Sequence, residues 1–316
     1  MTAEVQRRVE ARNEHPPAAE PQPSPAPGTV TAEVGDSASS LLAATGTTGA
    51  LGPRERFLAR EAARAAHAEG RAARARVKRS EAELRAIAVR GATELGGSGI
   101  GAADEATAEQ VVAWVVRELG GDLAAVACSM ADAVLPHVVA QALPFVDVLF
   151  LDTGYHFSET VGTRDAVAAT MDVTVVDVLP RLTVAEQDAE HGKDLWARDP
   201  AACCAMRKVE PLTRTLAGYE VWFTGVRRDE APTRASTPLV TFDEKNGLIK
   251  VNPLAAWSSD DLYGYAARNG VLLNPLLDDG YPSIGCGPCT RRVAPGEDPR
   301  AGRWSGFDKT ECGLHT

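Results

Sequence analysis

The stretch LAAVACSMADAVLPHVVAQALPFVDVLFLDTG, Leu123–Gly154, decides the fold. Its apolar runs Leu123–Cys128 and Asp147–Asp152 have the length of buried strands, and Ala131–Leu143 between them has the length and spacing of a helix. Asp132, His137, Gln141 and Asp147 interrupt it, so no run reaches the roughly 20 apolar residues that a membrane span requires. A β-α-β unit accounts for it. Working outward, the pattern continues with a helix over Ser158–Thr170, a strand over Val173–Val178 and helices near Val184–Glu190 and through Cys203–Leu216. Then come a strand at Glu220–Gly225, a hairpin within Leu239–Leu254 that turns at Asn246-Gly247, and a helix Ser258–Arg268 with Ser258 as N-cap. This alternation predicts an α/β fold, a mainly parallel sheet with flanking helices, followed after Gly270 by a loop-rich C-terminal segment.

Upstream, residues 1–52 are rich in Pro, Ala, Thr, Ser and Gly and bury too little apolar area to offset their ordering entropy, so they read as a disordered tail. Residues 53–79 form a basic, Ala/Arg-rich helical extension within a run of helix formers from 54 to 90; a second helix falls at Thr107–Leu119. Residues 80–316 read as the catalytic domain. The net charge of −10 argues against nucleic acid as the main partner. No basic, apolar and small-residue leader pattern is present, so the chain reads as cytoplasmic. A homo-oligomer remains open.

Three predicted strand ends carry small or hydroxyl residues: Cys128-Ser-Met-Ala-Asp132, Asp152-Thr-Gly154 and Thr224-Gly-Val-Arg-Arg228. Ligands of open α/β sheets bind at that edge, and backbone N–H groups there suit a phosphate or sulfate. Five of the six cysteines fall after residue 200, as Cys203-Cys204, Cys286-Gly-Pro-Cys289 and Cys312. In a reducing compartment, paired cysteines read as ligands or redox centres. A vicinal pair fits a zinc knuckle poorly, and the choice between an iron–sulfur cluster and zinc stays open on spacing alone, with a vicinal disulfide third. In an α-helix Lys208 would lie one turn from Cys204, with Arg207 beside it. Cys312 has no resolving partner, so a nucleophilic role requires an external reductant; Lys309, His315, Arg300 and Arg303 supply positive charge along that tail.

Ser129-Met-Ala-Asp132, Leu151-Asp-Thr-Gly154, Cys203-Cys-Ala-Met-Arg-Lys208, Thr224-Gly-Val-Arg-Arg228, Tyr281-Pro-Ser-Ile-Gly-Cys-Gly-Pro-Cys-Thr290, Arg300-Ala-Gly-Arg-Trp304 and Glu311-Cys-Gly-Leu-His315 together resemble the assimilatory sulfonucleotide reductases, in their iron–sulfur form that reduces adenylyl sulfate (APS). The resemblance covers roughly residues 80–316. It implies a fold of the adenine nucleotide alpha hydrolase-like, PP-loop type, and a [4Fe–4S] cluster on Cys203, Cys204, Cys286 and Cys289. It also implies Cys312 as the nucleophile that takes the sulfur as an S-sulfo group, with thioredoxin or a similar thiol releasing sulfite. By the same resemblance Ser129, Asp132, Asp152, Thr153, Gly154 and Gly225 hold the nucleotide, and Lys208, Arg227, Arg228, Arg300 and Arg303 receive the phosphosulfate, with His315 beside Cys312. Guanidinium groups suit that role because they bind tetrahedral oxyanions bidentately. Members without the cysteine pairs typically take the 3′-phosphorylated substrate (PAPS), so four ligands favour APS. The loop Ala127–Asp132 is not the Ser-Gly-Gly-x-Asp-Ser of ATP-splitting relatives, and Cys128 stands where a small hydroxyl residue is usual, reading as a structural thiol. The competing readings are a PAPS reductase, a non-catalytic redox-sensing cluster module, and a zinc-stabilised RNA thiolation enzyme.

Overall fold

Alternate residues of the central strands face opposite sides, and both sides are covered. In the computed structural model, which describes residues 52–73, 77–307, 309, 313 and 314, β1 is Ala124–Ala127, β2 Val146–Leu151, β3 Val173–Val178, β4 Val221–Thr224, β5 Val240–Asp243 and β6 Leu248–Val251. They form one six-stranded sheet in the order β3-β2-β1-β4-β6-β5, parallel except for the β5–β6 hairpin. Val126, Val148, Phe150, Val221 and Phe223 enter one core, while Ala125, Leu149 and Trp222 enter the other. This is the period-two pattern of strands buried on both faces.

The first core is closed by α2 (Glu81–Leu95), α3 (Ala108–Leu119), α4 (Val134–Ala140) and α10 (Ser259–Asn269); Leu84, Trp114, Val138 and Leu262 are among its buried residues. Ser80, Thr107 and Ser258 begin α2, α3 and α10, each in a reciprocal capping box. Between β2 and β4 lie α5 (Ser158–Thr170), α6 (Val184–His191), α7 (Leu195–Arg198), α8 (Pro200–Cys204) and α9 (Glu210–Leu216). Leu212 and Leu216 of α9 cover the second core. The mainly parallel α/β architecture is as the sequence predicts. No helix among the described residues is long and apolar enough to cross a membrane.

The helix-forming run of 54–90 is two elements, not one. α1 (Pro53–Ala73) stands apart from α2 and has no buried residue. It is held by guanidinium groups. Arg60 and Arg64 donate to the carbonyls of Ala169 and Ala168 at the C-terminal end of α5, and Arg64 also reaches Val173 O at 3.1 Å. Such donors satisfy carbonyls that a helix end leaves open. Arg71 grips Asp147 through two bonds of 2.9 Å, and Tyr219 donates to the same carboxylate at 2.9 Å. Asp147 is 8% exposed, so Arg71→Ala strands a nearly buried charge. We expect it to cost about 1–2 kcal/mol, the buried-pair penalty reduced for partial exposure, and to lower Tm by a few degrees in thermal unfolding. Residues 1–51 of the expected disordered tail (1–52) lie outside the described residues.

Candidate active site

The loops that leave β1, β2 and β4 enclose a cleft of about 720 Å³ at the carboxyl edge of the sheet. Ser129, Asp132, Thr153, Gly225, Arg227, Arg228, Lys208, Arg300 and Arg303 all line it. The β1 loop is shaped from within by Cys128. Its thiol accepts from the N–H of Met130 and donates to the carbonyl of Asp132, both at 3.4 Å, while Met130 adopts a left-handed φ of 59°. Burial pushes the Cys128 thiol up to about 12, which leaves it neutral and unreactive. Asp132 Oδ1 accepts from Val134 N, at the start of α4, at 2.9 Å, and burial raises its carboxyl above the usual range.

The four paired cysteines come together beside this cleft. Cys203, Cys204, Cys286 and Cys289 line one small enclosed space with Thr153, Tyr155, Arg207 and Lys208; Cys286, Thr153 and Lys208 face the cleft as well. The β2 exit loop binds the Cys-Gly-Pro-Cys turn through Gly287 N to Tyr155 O at 2.7 Å and through Thr153 Oγ1, 3.2 Å from Cys286 Sγ. Buried Arg207 ties the opposite wall to the same loop, donating to Thr153 O at 2.5 Å and to Gln187 Oε1 at 3.0 Å. Burial first, and then the neighbouring cysteines, raise Cys203 to about 12 and Cys289 to about 11. Thiolates crowded this way conflict in charge, and a bound cationic metal centre removes the conflict. Among the described residues no three His, Cys, Asp or Glu side chains are grouped as they would be around one metal ion. The donor set, four thiols with two cations at its rim, fits a larger anionic metal–sulfur group.

Arg300 and Arg303 reach the cleft because their segment is laced to the cysteine turn. Trp304 N donates to Cys289 O at 3.0 Å, Arg291 N donates to Gly302 O at 2.9 Å, and Thr290 pairs with Arg303 in an antiparallel bridge. These contacts tie residues 300–304, the start of the expected mobile tail, to the cysteine turn. Arg303 Nη1 donates to Ser283 Oγ at 3.2 Å and Ile284 O at 3.1 Å, and its guanidinium lies against the backbone of Gly285. A Cβ at Gly285 would fall 2.5 Å from Cζ of Arg303. The obstacle is the end of a flexible side chain, so Gly285→Ala should fold normally with Arg303 displaced. We expect kcat/KM to fall about tenfold at an unchanged Tm, read by steady-state kinetics and thermal unfolding.

The profile of the phosphoadenosine phosphosulfate reductase domain matches residues 123–292, more than half of the chain. The chain belongs to the PAPS/APS reductase family. Relatives of this family include the adenosine 5′-phosphosulfate reductase of Streptomyces coelicolor, 57% identical over 238 residues that cover 75% of this chain and 97% of the relative. The protein of that name from Mycolicibacterium smegmatis is 56% identical, covering 75% of this chain and 96% of its own length. Among solved structures, a PAPS reductase from Candida auris in complex with phosphate superposes with a TM-score of 0.50 at 28% identity, covering 60% of this chain and 91% of that one.

The remaining expected site residues of this reductase chain are placed by contacts of their own. Arg228 lines the cleft, and its guanidinium is bonded to Glu105 at 2.7 and 2.8 Å, with Nε donating to Thr237 O. Arg227 is shared between Asp229 at 3.1 Å and Glu230 at 3.6 Å. Asp152 and Gly154 are not on the cleft wall: Asp152 Oδ1 accepts from Gly154 N at 2.9 Å and shapes the turn that presents Thr153. Cys204 and Lys208 are not neighbours on a regular α-helix. Residues Ala205–Val209 form a π-turn in which Glu210 N donates to Ala205 O. Pro211 lacks the N–H that would bond Arg207 O, and its ring crowds that carbonyl. Lys208 still lines both spaces. Cys312 and His315 lie outside the described residues. Gly313 and Leu314 are described; Lys245 donates to Gly313 O at 2.9 Å, and Leu314 lines the cleft.

The sequence reading missed His156, Glu105 and Trp304 as site components. His156 lines the cleft, holds Leu151 O at 2.8 Å through Nε2, and is kept neutral by burial. Its place four residues after Asp152 was the available signal.

Proposed function

We propose that this chain reduces adenosine 5′-phosphosulfate to sulfite and AMP in assimilatory sulfate reduction, with Cys312 as nucleophile. The observation that carries the reading is the meeting, in one nucleotide-sized cleft, of the strand-end loops with Lys208, Arg300, Arg303 and the cysteine cage. Cys312 thiolate attacks the sulfur of the phosphosulfate. The S–O bond to the phosphate breaks, AMP leaves with the electron pair, and Cys312 retains an S-sulfo group. A thiolate of thioredoxin or a similar dithiol then attacks Cys312 Sγ and expels sulfite. The second thiol of that dithiol resolves the mixed disulfide, so the dithiol supplies the two electrons. Lys208, Arg300 and Arg303 hold the phosphosulfate and stabilise charge on the departing phosphate.

Cys203, Cys204, Cys286 and Cys289 would hold a [4Fe–4S] cluster, which when bound supplies rigidity and a fixed electrostatic field to that wall. Gly313 and Leu314, the residues that follow Cys312, support delivery of the nucleophile to the cleft. Turnover with APS and with PAPS, measured with thioredoxin, tests the reading. Faster reduction of APS is expected. Faster reduction of PAPS would replace it with the 3′-phosphorylated substrate.

A further inference from the structure

Arg207 is a buried charge with only neutral groups bonded to it. It stands on the π-turn that follows Cys203 and Cys204 and is 4% exposed. Nε donates to Thr153 O, and Nη1 donates to Leu182 O at 3.2 Å and to Gln187 Oε1 at 3.0 Å. The ring of Tyr155 lies 5.3 Å from its Cζ. Two carbonyls, an amide and a phenol ring carry no charge, and among the described residues Arg207 forms no ion pair. A guanidinium withdrawn from water requires a compensating charge nearby. The cysteine cage is the group placed to supply one, since Arg207 lines it and lies within electrostatic reach of Cys203.

Gln187 is an unexpected partner for such a cation. It belongs to α6, is fully buried and turns its Oε1 to the guanidinium, while its Nε2 has no hydrogen-bond partner among the described residues. A carboxylate of the same shape would bind the arginine more strongly and would leave no buried N–H group unpaired. It would also cancel the positive charge that the cage meets. The surroundings are fitted to the arginine: a Cβ at Gly154 would fall 3.1 Å from Nη2, and Leu182, just before the Thr183 cap of α6, offers its carbonyl to Nη1.

We propose that Gln187 is a positioning residue whose neutral amide aims Arg207 at the cysteine cage and leaves its positive charge to the sulfurs of Cys203, Cys204, Cys286 and Cys289. The inference rests on the reading that these four cysteines hold a metal–sulfur group. Four thiolates on such a group leave an excess of negative charge, and a cation held against them away from water offsets it.

The test is iron release from the full-length holoprotein to excess EDTA, followed by metal analysis and by decay of the brown absorbance, in wild type, Gln187→Glu and Gln187→Met. Gln187→Glu keeps an oxygen that accepts from Arg207 and adds a negative charge. Gln187→Met removes the acceptor and leaves the charge of Arg207 whole. We expect release about tenfold faster than wild type in Gln187→Glu and less than about threefold faster in Gln187→Met. A role in packing and hydrogen bonding alone would reverse that order, because the glutamate variant preserves the bond; the reversed order, or equal rates in the two variants, overturns the proposal. If Gln187→Glu is recovered without iron, Gln187→Met decides: iron content near that of wild type upholds the proposal, and its loss overturns it. A wild type that holds no iron would instead count against the metal–sulfur reading.

Discussion

Cys312→Ser abolishes sulfite release from APS while APS continues to bind: this is the largest effect expected of any single substitution. The described tail residues Gly313 and Leu314 dock beside the cleft, and Lys309 sits 5.5 Å over the ring of Trp304, itself bonded to Cys289 O. A hydroxyl in place of the thiol cannot form the S-sulfo intermediate, so turnover should fall by about a thousandfold or more. Equilibrium binding of APS should change by less than about threefold, because the groups proposed to hold the anion are Lys208, Arg300 and Arg303. A variant that keeps measurable turnover would remove Cys312 from the chemistry.

Cys286→Ser has the next largest effect. Cys286 alone among the four paired cysteines borders both the enclosed space and the cleft. Its hydrogen bond with Thr153 fixes it to the β2 exit loop, and Thr290 Oγ1 donates to its carbonyl at 2.9 Å. Losing this donor should cost the protein the proposed iron–sulfur cluster, read by metal analysis and by loss of brown absorbance. Activity should fall about a hundredfold, because the turn that carries Cys286 also anchors Arg303 and Trp304. Full iron retention in Cys286→Ser would mean that the cage does not hold a metal–sulfur group through this residue. A colourless, zinc-loaded wild type would say the same of iron.

The strands were legible because the central ones are buried on both faces, so that Leu123–Cys128 and Val148–Leu151 read as unbroken apolar runs. The cap at Ser258 was legible for a local reason, a side chain that bonds its own backbone three residues on. Departures arose where long-range contacts decide. Glu105 is 123 residues from Arg228 in sequence, and nothing near Thr224-Gly-Val-Arg-Arg228 announces that its second arginine is committed elsewhere. The π-turn at Ala205–Val209 reflects Pro211, two residues beyond it, a cue that helix spacing alone passes over. Nor could composition show that α1 docks through arginines: Arg60, Arg64 and Arg71 look like a solvated basic face until Asp172, Val173 and Asp147 are brought beside them.

The site itself was legible as a set of residue types and became a site through three bridges. Thr153 joins the nucleotide edge to Cys286, Arg207 joins Thr153 to the helix that bears Cys203 and Cys204, and the Cys289–Trp304 bond joins the cage to the arginine segment. Each bridge runs between segments that are remote in the chain, and each places a cation or a thiol within reach of the same cleft.

The most direct test is mass spectrometry of the full chain after a single turnover with APS in the absence of any thiol reductant. The proposed mechanism predicts one S-sulfo group per chain, located on Cys312, released as sulfite when thioredoxin is added. Release of AMP with no adduct on Cys312, or an adduct on Cys128 or on one of the four caged cysteines, would contradict it.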